Sequence, residues 1–160
     1  MRFTVKADRE LWGKNTYGAV PVIDGKTYKN NEGEEKIGIW AFTKENFSTF
    51  SEEEKKNSPI PKFEASTFSF GKIRRGTEVH AEFTFKNEGK RDFCVYRVNS
   101  DACRWSHSTI PVAAPGEEVT FRVHLDTSKM PTGEALAIVT LTTNSPLRPI
   151  VNLFIAGWLE

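Results

Sequence analysis

From Lys62 to the end of the chain, apolar and polar residues alternate with period two, the spacing that puts every other side chain on one face of a β-strand. Phe68 and Phe70 open the series, and Val79, Ala81, Phe83 and Phe85 follow with polar residues between them. Cys94, Tyr96 and Val98 then alternate with Phe93 and Val95, and Val119, Phe121, Val123 and Leu125 make another half-buried run. Residues 135–142 and 150–158 supply two more stretches rich in Val, Ile, Leu and Phe, so six strands are expected in about 100 residues. Turn signals separate them at Gly71, Gly76, Asn87 to Gly89, Pro115-Gly116, Pro131 to Gly133 and Asn144 to Pro149. Short strands at that spacing, with no helical period between them, predict an all-β fold, an antiparallel β-sandwich. Phe83, Phe85, Phe121, Val123, Val139 and Leu141 are its expected core, because their alternation gives each strand one inward face.

Upstream the pattern changes. In SEEEKKNSPIP, residues 51–61, Ser51 and Glu54 have capping-box spacing, and Pro59 and Pro61 stop any helix and hand the chain on extended. Residues 46–61 therefore read as a linker with a single helical turn, its charges forming a solvated face. In residues 1–45, FTVKAD (3–8) echoes FRVHLD (121–126) and IGIWAF (37–42) echoes LFIAGW (153–158). Between each pair lies a further apolar strand, Tyr17 to Ile23 in one case and Ala135 to Leu141 in the other. Residues 1–45 thus read as a partial β domain resembling the C-terminal half of the domain at 62–160. Strands left without their covering partners expose open edges, through which self-association is expected.

Composition narrows the function classes. With 27% charged residues, 38% hydrophobic ones and a formal net charge of +1, the chain is neither a disordered tail nor a surface built as a whole for a polyanion. No nucleic-acid partner is expected, and a glycan site would have to be a local patch. Two cysteines, Cys94 and Cys103, are too few for a disulfide framework, so burial must hold the core together. The start, MRFTVKADRE, has acids at Asp8 and Glu10 and no apolar core, so it is not a signal peptide as written. No apolar run approaches the roughly 20 residues of a membrane-spanning helix.

FSFGKIRRGTEVHAEFTFKNEG, residues 68–89, resembles the opening signature of the bacterial family catalogued as domain of unknown function 1573. Phe68, Phe70, Gly71, Ile73, Gly76, Phe83, Phe85, Asn87 and Gly89 fall in its Phe-x-Phe-Gly-x-Ile-x-x-Gly and Phe-x-Asn-x-Gly positions. Pro115-Gly116-Glu117, Gly133, Thr143-Asn144 with Pro146, and Leu153-x-Ile155-x-Gly157 match its later marks. The resemblance implies an immunoglobulin-like sandwich, often in tandem copies on proteins of the bacterial cell envelope, with no established catalytic activity. It therefore points to the periplasm or cell surface, although the sequence itself leaves a cytoplasmic location open. The glycines read as folding residues, Gly71 and Gly76 turning the chain and Asn87 to Gly89 supplying positive φ angles for a hairpin. Where the family carries Ser-Cys-Gly-Cys-Thr, this chain has Ser100-Asp101-Ala102-Cys103-Arg104, one cysteine having become Asp101.

That departure bears on VNSDACRWSH, residues 98–107, the chain's most chemically suggestive stretch. Asp101, Cys103 and His107 offer O, S and N ligands, but three ligands on one loop make a poor tetrahedral set. A nucleophilic cysteine needs a base and an orienting group, and His107 alone with no oxyanion hole does not complete one. Cys94 reads as a small buried apolar residue, and a bond to Cys103 would require Cα atoms within about 7 Å. His80 and His124 sit in alternating strands and face outward as solvated residues or cross-strand partners, and no His pair has ligand spacing. Lys72, Arg74, Arg75, Lys86, Lys90 and Arg91 cluster near the first two turns, interspersed with acids. Trp105 either tucks under the end of the sandwich or meets a ligand.

The reading is a non-catalytic binding or structural module acting through loops or strand edges, with no catalytic, cofactor-binding or metal residue assigned. Trp105, Arg104, Cys103, His107, Arg74 and Arg75 are its expected contacts, and a protein or a cell-surface glycan is the expected partner. The alternatives are a thiol- or metal-dependent activity at Cys103 and His107, and polyanion binding through the basic turns and Trp105.

Overall fold

The computed structural model describes residues 10–30, 33–34 and 36–160. The chain divides into two compact units, Met1–Thr43 and Lys44–Glu160. In the first, β1 (Gly13–Ala19) pairs antiparallel with β6 (Ile37–Thr43), which contains the IGIWAF stretch; FTVKAD lies outside the described residues. The strand expected over Tyr17 to Ile23 is broken. β1 ends at Ala19, and β2 (Val22–Ile23) turns back on β3 (Lys26–Thr27). The two-residue loop between them is Asp24-Gly25, with φ of 50° and 75°, the left-handed pair that a type I′ hairpin requires. β4 (Lys29–Asn30) and β5 (Gly33–Glu34) form a further short pair.

The second unit opens with α1 (Glu52–Lys56), a five-residue helix with the expected capping box: Ser51 Oγ accepts from Glu54 N–H, and Glu54 Oε2 accepts from Ser51 N–H at 2.7 Å. Eight strands follow, β7 (Pro61–Phe63), β8 (Thr67–Ile73), β9 (Glu78–Asn87), β10 (Val95–Ser100), β11 (Trp105–His107), β12 (Glu118–Asp126), β13 (Gly133–Thr143) and β14 (Ile150–Leu159). They make two four-stranded sheets, ordered β10-β13-β14-β8 and β11-β12-β9-β7. The two strands beyond the expected six, β7 and β11, are three residues each, too short for a period of two to register. The sandwich is also not wholly antiparallel, because β8 lies parallel to β14. Parallel neighbours need a long crossover, and here five intervening strands distributed over both sheets provide it.

All six expected core residues are buried, with Phe93, Val119, Leu125, Leu153 and Ile155 among their neighbours. The first half of β10 departs from simple alternation. A bulge between Val95 and Arg97 lets Val95 and Val98, three residues apart, both pack on the core. Cys94 is correspondingly not a buried strand residue; it precedes β10 and is partly exposed.

Two of the signature glycines work differently from the expectation. Gly71, with φ of 67°, sits not in a turn but within β8, where pairing with β14 shifts between Ala156 and Gly157. Gly89 needs no positive φ; a Cβ there would run into the backbone of Ser58, Pro59 and Ile60. That segment is strapped down: Ser145 Oγ donates to the Pro59 carbonyl at 2.7 Å, and Glu88 N–H donates to the Ile60 carbonyl at 2.8 Å. The end of the expected linker is therefore part of the sandwich's base and not a free tether.

Candidate functional site

VNSDACRWSH is only partly a loop. Val98 to Ser100 finish β10 in one sheet and Trp105 to His107 form β11 in the other, so residues 101–104 carry the chain across the end of the sandwich. Asp101 Oδ1 accepts from Ile138 N–H at 2.8 Å, which pins the start of this crossing to β13. Arg104 pairs with Asp126 at 3.2 Å, which pins its end to β12. The Asp126 carboxyl, held by bonds from Ser128 first and Arg104 second, lies below the usual carboxylate range.

Trp105 tucks, being partly buried and packed on the core, and the His107 ring stacks on it with centroids 5.8 Å apart. His107 Nδ1 lies 2.7 Å from the Ser108 carbonyl, so Nδ1 carries the proton and donates it there. Cys103 is an exposed free thiol on the crossing. Asp101, Cys103 and His107 do not gather into a ligand set.

The basic residues do not form one patch. Arg74 and Arg75 sit in the β8–β9 turn, which is fixed by a 2.9 Å bond from Gly76 N–H to Thr127 Oγ1. Lys86, Lys90 and Arg91 lie at the other end of the ten-residue β9, about 30 Å away at roughly 3.3 Å per residue. Lys72 is neutralised locally by Glu160 at 2.6 Å. Proximity in sequence was a poor guide because a strand separates what it connects.

Three surface features were not assigned as sites from the sequence. On the outer face of the β13–β14–β8 sheet, Leu136 and Trp158 are 53% and 50% exposed. Leu136 lies opposite Ala156, so Trp158, two residues on, shares its face. They border an open groove of about 510 Å³ with Ser69, Glu134, Ala156 and Gly157. The sequence pattern named both strands, but two strands rich in apolar residues on both faces do not reveal which residues stay outside.

The second feature is an open pocket of about 500 Å³ lined by Glu45, Phe50, Arg91, Cys94, Tyr96 and Pro146, among others. Tyr96 donates to Glu45 Oε2 at 2.7 Å. Burial first, and the Glu45 bond next, push its phenol well above the ordinary value. Burial also raises the Cys94 thiol, helped by the charge of Asp92.

The third is a cross-strand histidine pair. In the β9–β12 register His80 stands opposite His124, their Nδ1 atoms 2.6 Å apart, with Glu78 Oε1 4.0 Å from His124 Nδ1. The two histidines are 44 residues apart in sequence, and the signal that joins them is the pairing of two outward-facing strand positions.

Comparisons with known proteins agree with this architecture. A family model described as protein of unknown function (DUF1573) matches residues 61–158. No curated protein matches the sequence. A crystal structure of a protein of unknown function from Porphyromonas gingivalis W83 is similar over 96% of this chain and 69% of that one, with a TM-score of 0.72 and 14% identity. The ASH/PapD-like domain 7 of human CEP192 is similar over 65% of this chain and 87% of that one, with a TM-score of 0.51 and 10% identity. Both likenesses are of fold.

Proposed function

Because the chain belongs to the DUF1573 family of proteins of unknown function, its role must be read from its own surfaces, and we propose that it is a non-catalytic module that binds another protein. The observation that carries this reading is the exposed pair Leu136 and Trp158 beside an open groove on the β13–β14–β8 face. Large apolar side chains grouped on a rigid sheet, with Glu134 and Ser69 at the margin, make the apolar centre and polar rim of a docking surface. Pairing along the sandwich's strand edges is the weaker route. β7 and β11 are short, β10 is bulged, and β8 carries the Gly71 bulge followed by Lys72, all devices that blunt an edge.

The crossing residues Arg104, Cys103 and His107, with Arg74 and Arg75, flank one end of the sandwich and belong to this reading as secondary contacts. Thiol chemistry at Cys103 is disfavoured by the His107 ring, which stacks on Trp105 and bonds to Ser108. A location in the cell envelope, which the family resemblance implies, is part of the same proposal. So is a partial second domain in residues 1–45. There β1 and β6 pair only with each other among the described residues, which favours self-association through their outer edges.

A photo-crosslinking side chain at position 158, tested in the producing cells, should give a discrete protein adduct that disappears on Leu136→Glu. The same group placed at Glu82 on the opposite sheet should not. Equal labelling from both positions, or none from position 158, would sink the proposal.

A further inference from the structure

We propose that Glu78, His80 and His124 form a binding site for a divalent transition-metal ion of the zinc and copper class. The site lies on the outer face of the sheet opposite to the one carrying Trp158 and does not depend on the docking reading. Strand geometry assembles it. Glu78 and His80 are two residues apart on β9 and so share a face, and the antiparallel register puts His124 of β12 directly across from His80. The three ligand atoms, two imidazole nitrogens and one carboxylate oxygen, all lie within 4.8 Å of one another.

The donor set selects the class of ion. Two imidazoles and one carboxylate suit zinc, copper or nickel, whereas calcium and magnesium require six or more oxygen ligands. Three protein ligands leave a fourth tetrahedral position for water or for a ligand from a partner.

The surroundings leave this carboxylate available. Asp126, opposite Glu78, is taken by Ser128 N–H at 2.8 Å and by Arg104, and Glu82 is held by Arg122 at 2.6 Å. Glu78 faces His124 instead, at 4.0 Å. Three carboxylates and two guanidiniums thus surround the pair, an excess of one negative charge that favours a cation.

The geometry also states what binding must change. At 2.6 Å the two Nδ1 atoms are joined by a hydrogen bond, one imidazole donating and the other accepting. Two nitrogens each roughly 2.0–2.1 Å from a tetrahedral ion stand about 3.3 Å apart, so the rings must separate by about 0.7 Å. The donating ring moves its proton from Nδ1 to Nε2, so that both Nδ1 lone pairs face the ion and no net proton is released from a neutral pair. Glu78 and His80 are exposed and His124 is one-third exposed, so small side-chain rotations suffice and the backbone ladder stays intact.

Titration of the full, untagged chain with Zn²⁺ near neutral pH tests the site. One ion per chain, a higher melting temperature with Zn²⁺ present, and displaced Nδ1 resonances of His80 and His124 are expected. His80→Ala and His124→Ala should each weaken binding about tenfold or more, with Glu78→Gln also weakening it, while Cys103→Ser and His107→Ala leave it unchanged. Absence of saturable binding, or binding lost on Cys103→Ser, would overturn the proposal. If either alanine variant fails to fold, the wild-type imidazole resonances decide the question. Resonances that stay in place at saturating Zn²⁺ mean that the pair is only a cross-strand hydrogen bond.

Discussion

The side-chain amide of Asn87 donates to the Ala113 carbonyl at 2.9 Å, joining the end of β9 to the segment that leads into β12. The same amide donates to the Arg91 carbonyl at 2.8 Å, and its oxygen accepts from Ile60 N–H at 3.2 Å and Gly89 N–H at 3.0 Å. One buried side chain therefore satisfies four backbone groups from three parts of the chain. Asn87→Ala takes the partner from Ile60 N–H, Gly89 N–H and the Arg91 carbonyl, while the Ala113 carbonyl keeps Phe93 N–H at 2.9 Å, and should cost about 3 kcal/mol, read as a lower denaturation midpoint at unchanged slope. A loss below about 1 kcal/mol would show that water replaces the amide without penalty.

Phe83 is 2% exposed, and its ring centroid lies 5.9 Å from that of Phe121 on the neighbouring strand β12. Phe83→Ala should cost about 3–5 kcal/mol, because the cavity left in a two-sheet core closes poorly. The double variant with Phe121→Ala should cost less than the sum of the singles by roughly 0.5–1.5 kcal/mol, since the pair is in contact. Strict additivity in equilibrium melts would contradict that contact.

These two residues mark what the sequence discloses and what it conceals. Phe83 was legible as core because period-two alternation is a local pattern, and the same pattern located Phe121, Val139 and Leu141. Asn87 was legible only as a turn residue. Its four partners span residues 60 to 113, and a hub of that kind has no local signature. His80 and His124 follow the same logic: each was readable as outward, but their encounter depends on strand order and register. The basic residues erred in the opposite direction. Local clustering suggested a patch, and the length of β9 pulled it apart.

The two cysteines should differ in reactivity. Cys103 is exposed, whereas Cys94 is partly buried and its thiol is raised by burial and by the Asp92 charge, which lowers its thiolate fraction. A disulfide-exchange reagent near neutral pH should give one fast and one slow phase in the folded chain. Cys103→Ser should remove the fast phase, leave the slow one and preserve the fold. A single phase that counts both thiols would show that the Cys94 pocket opens faster than the reagent reacts.

Tyr96 offers a test of the Cys94 pocket by pH. Its phenol donates to Glu45 at 2.7 Å, and the raised value means that folding favours the neutral form, chiefly because ionisation would place charge in a partly buried site beside a carboxylate. The sign follows from linkage. A group raised in the folded state stabilises it fully below the ordinary tyrosine value of about 10, and that contribution is lost as pH climbs from there towards the folded value. Cys94, also raised, adds a loss in the same direction that begins at the ordinary thiol value of about 8.5. Stability should therefore fall on the alkaline side, and Tyr96→Phe should flatten the part of the fall above about pH 10. Ultraviolet titration of wild type against Tyr96→Phe isolates the phenolate signal of this residue. A difference curve centred at or below the ordinary tyrosine value would mean that neither burial nor the Glu45 bond holds Tyr96 in solution.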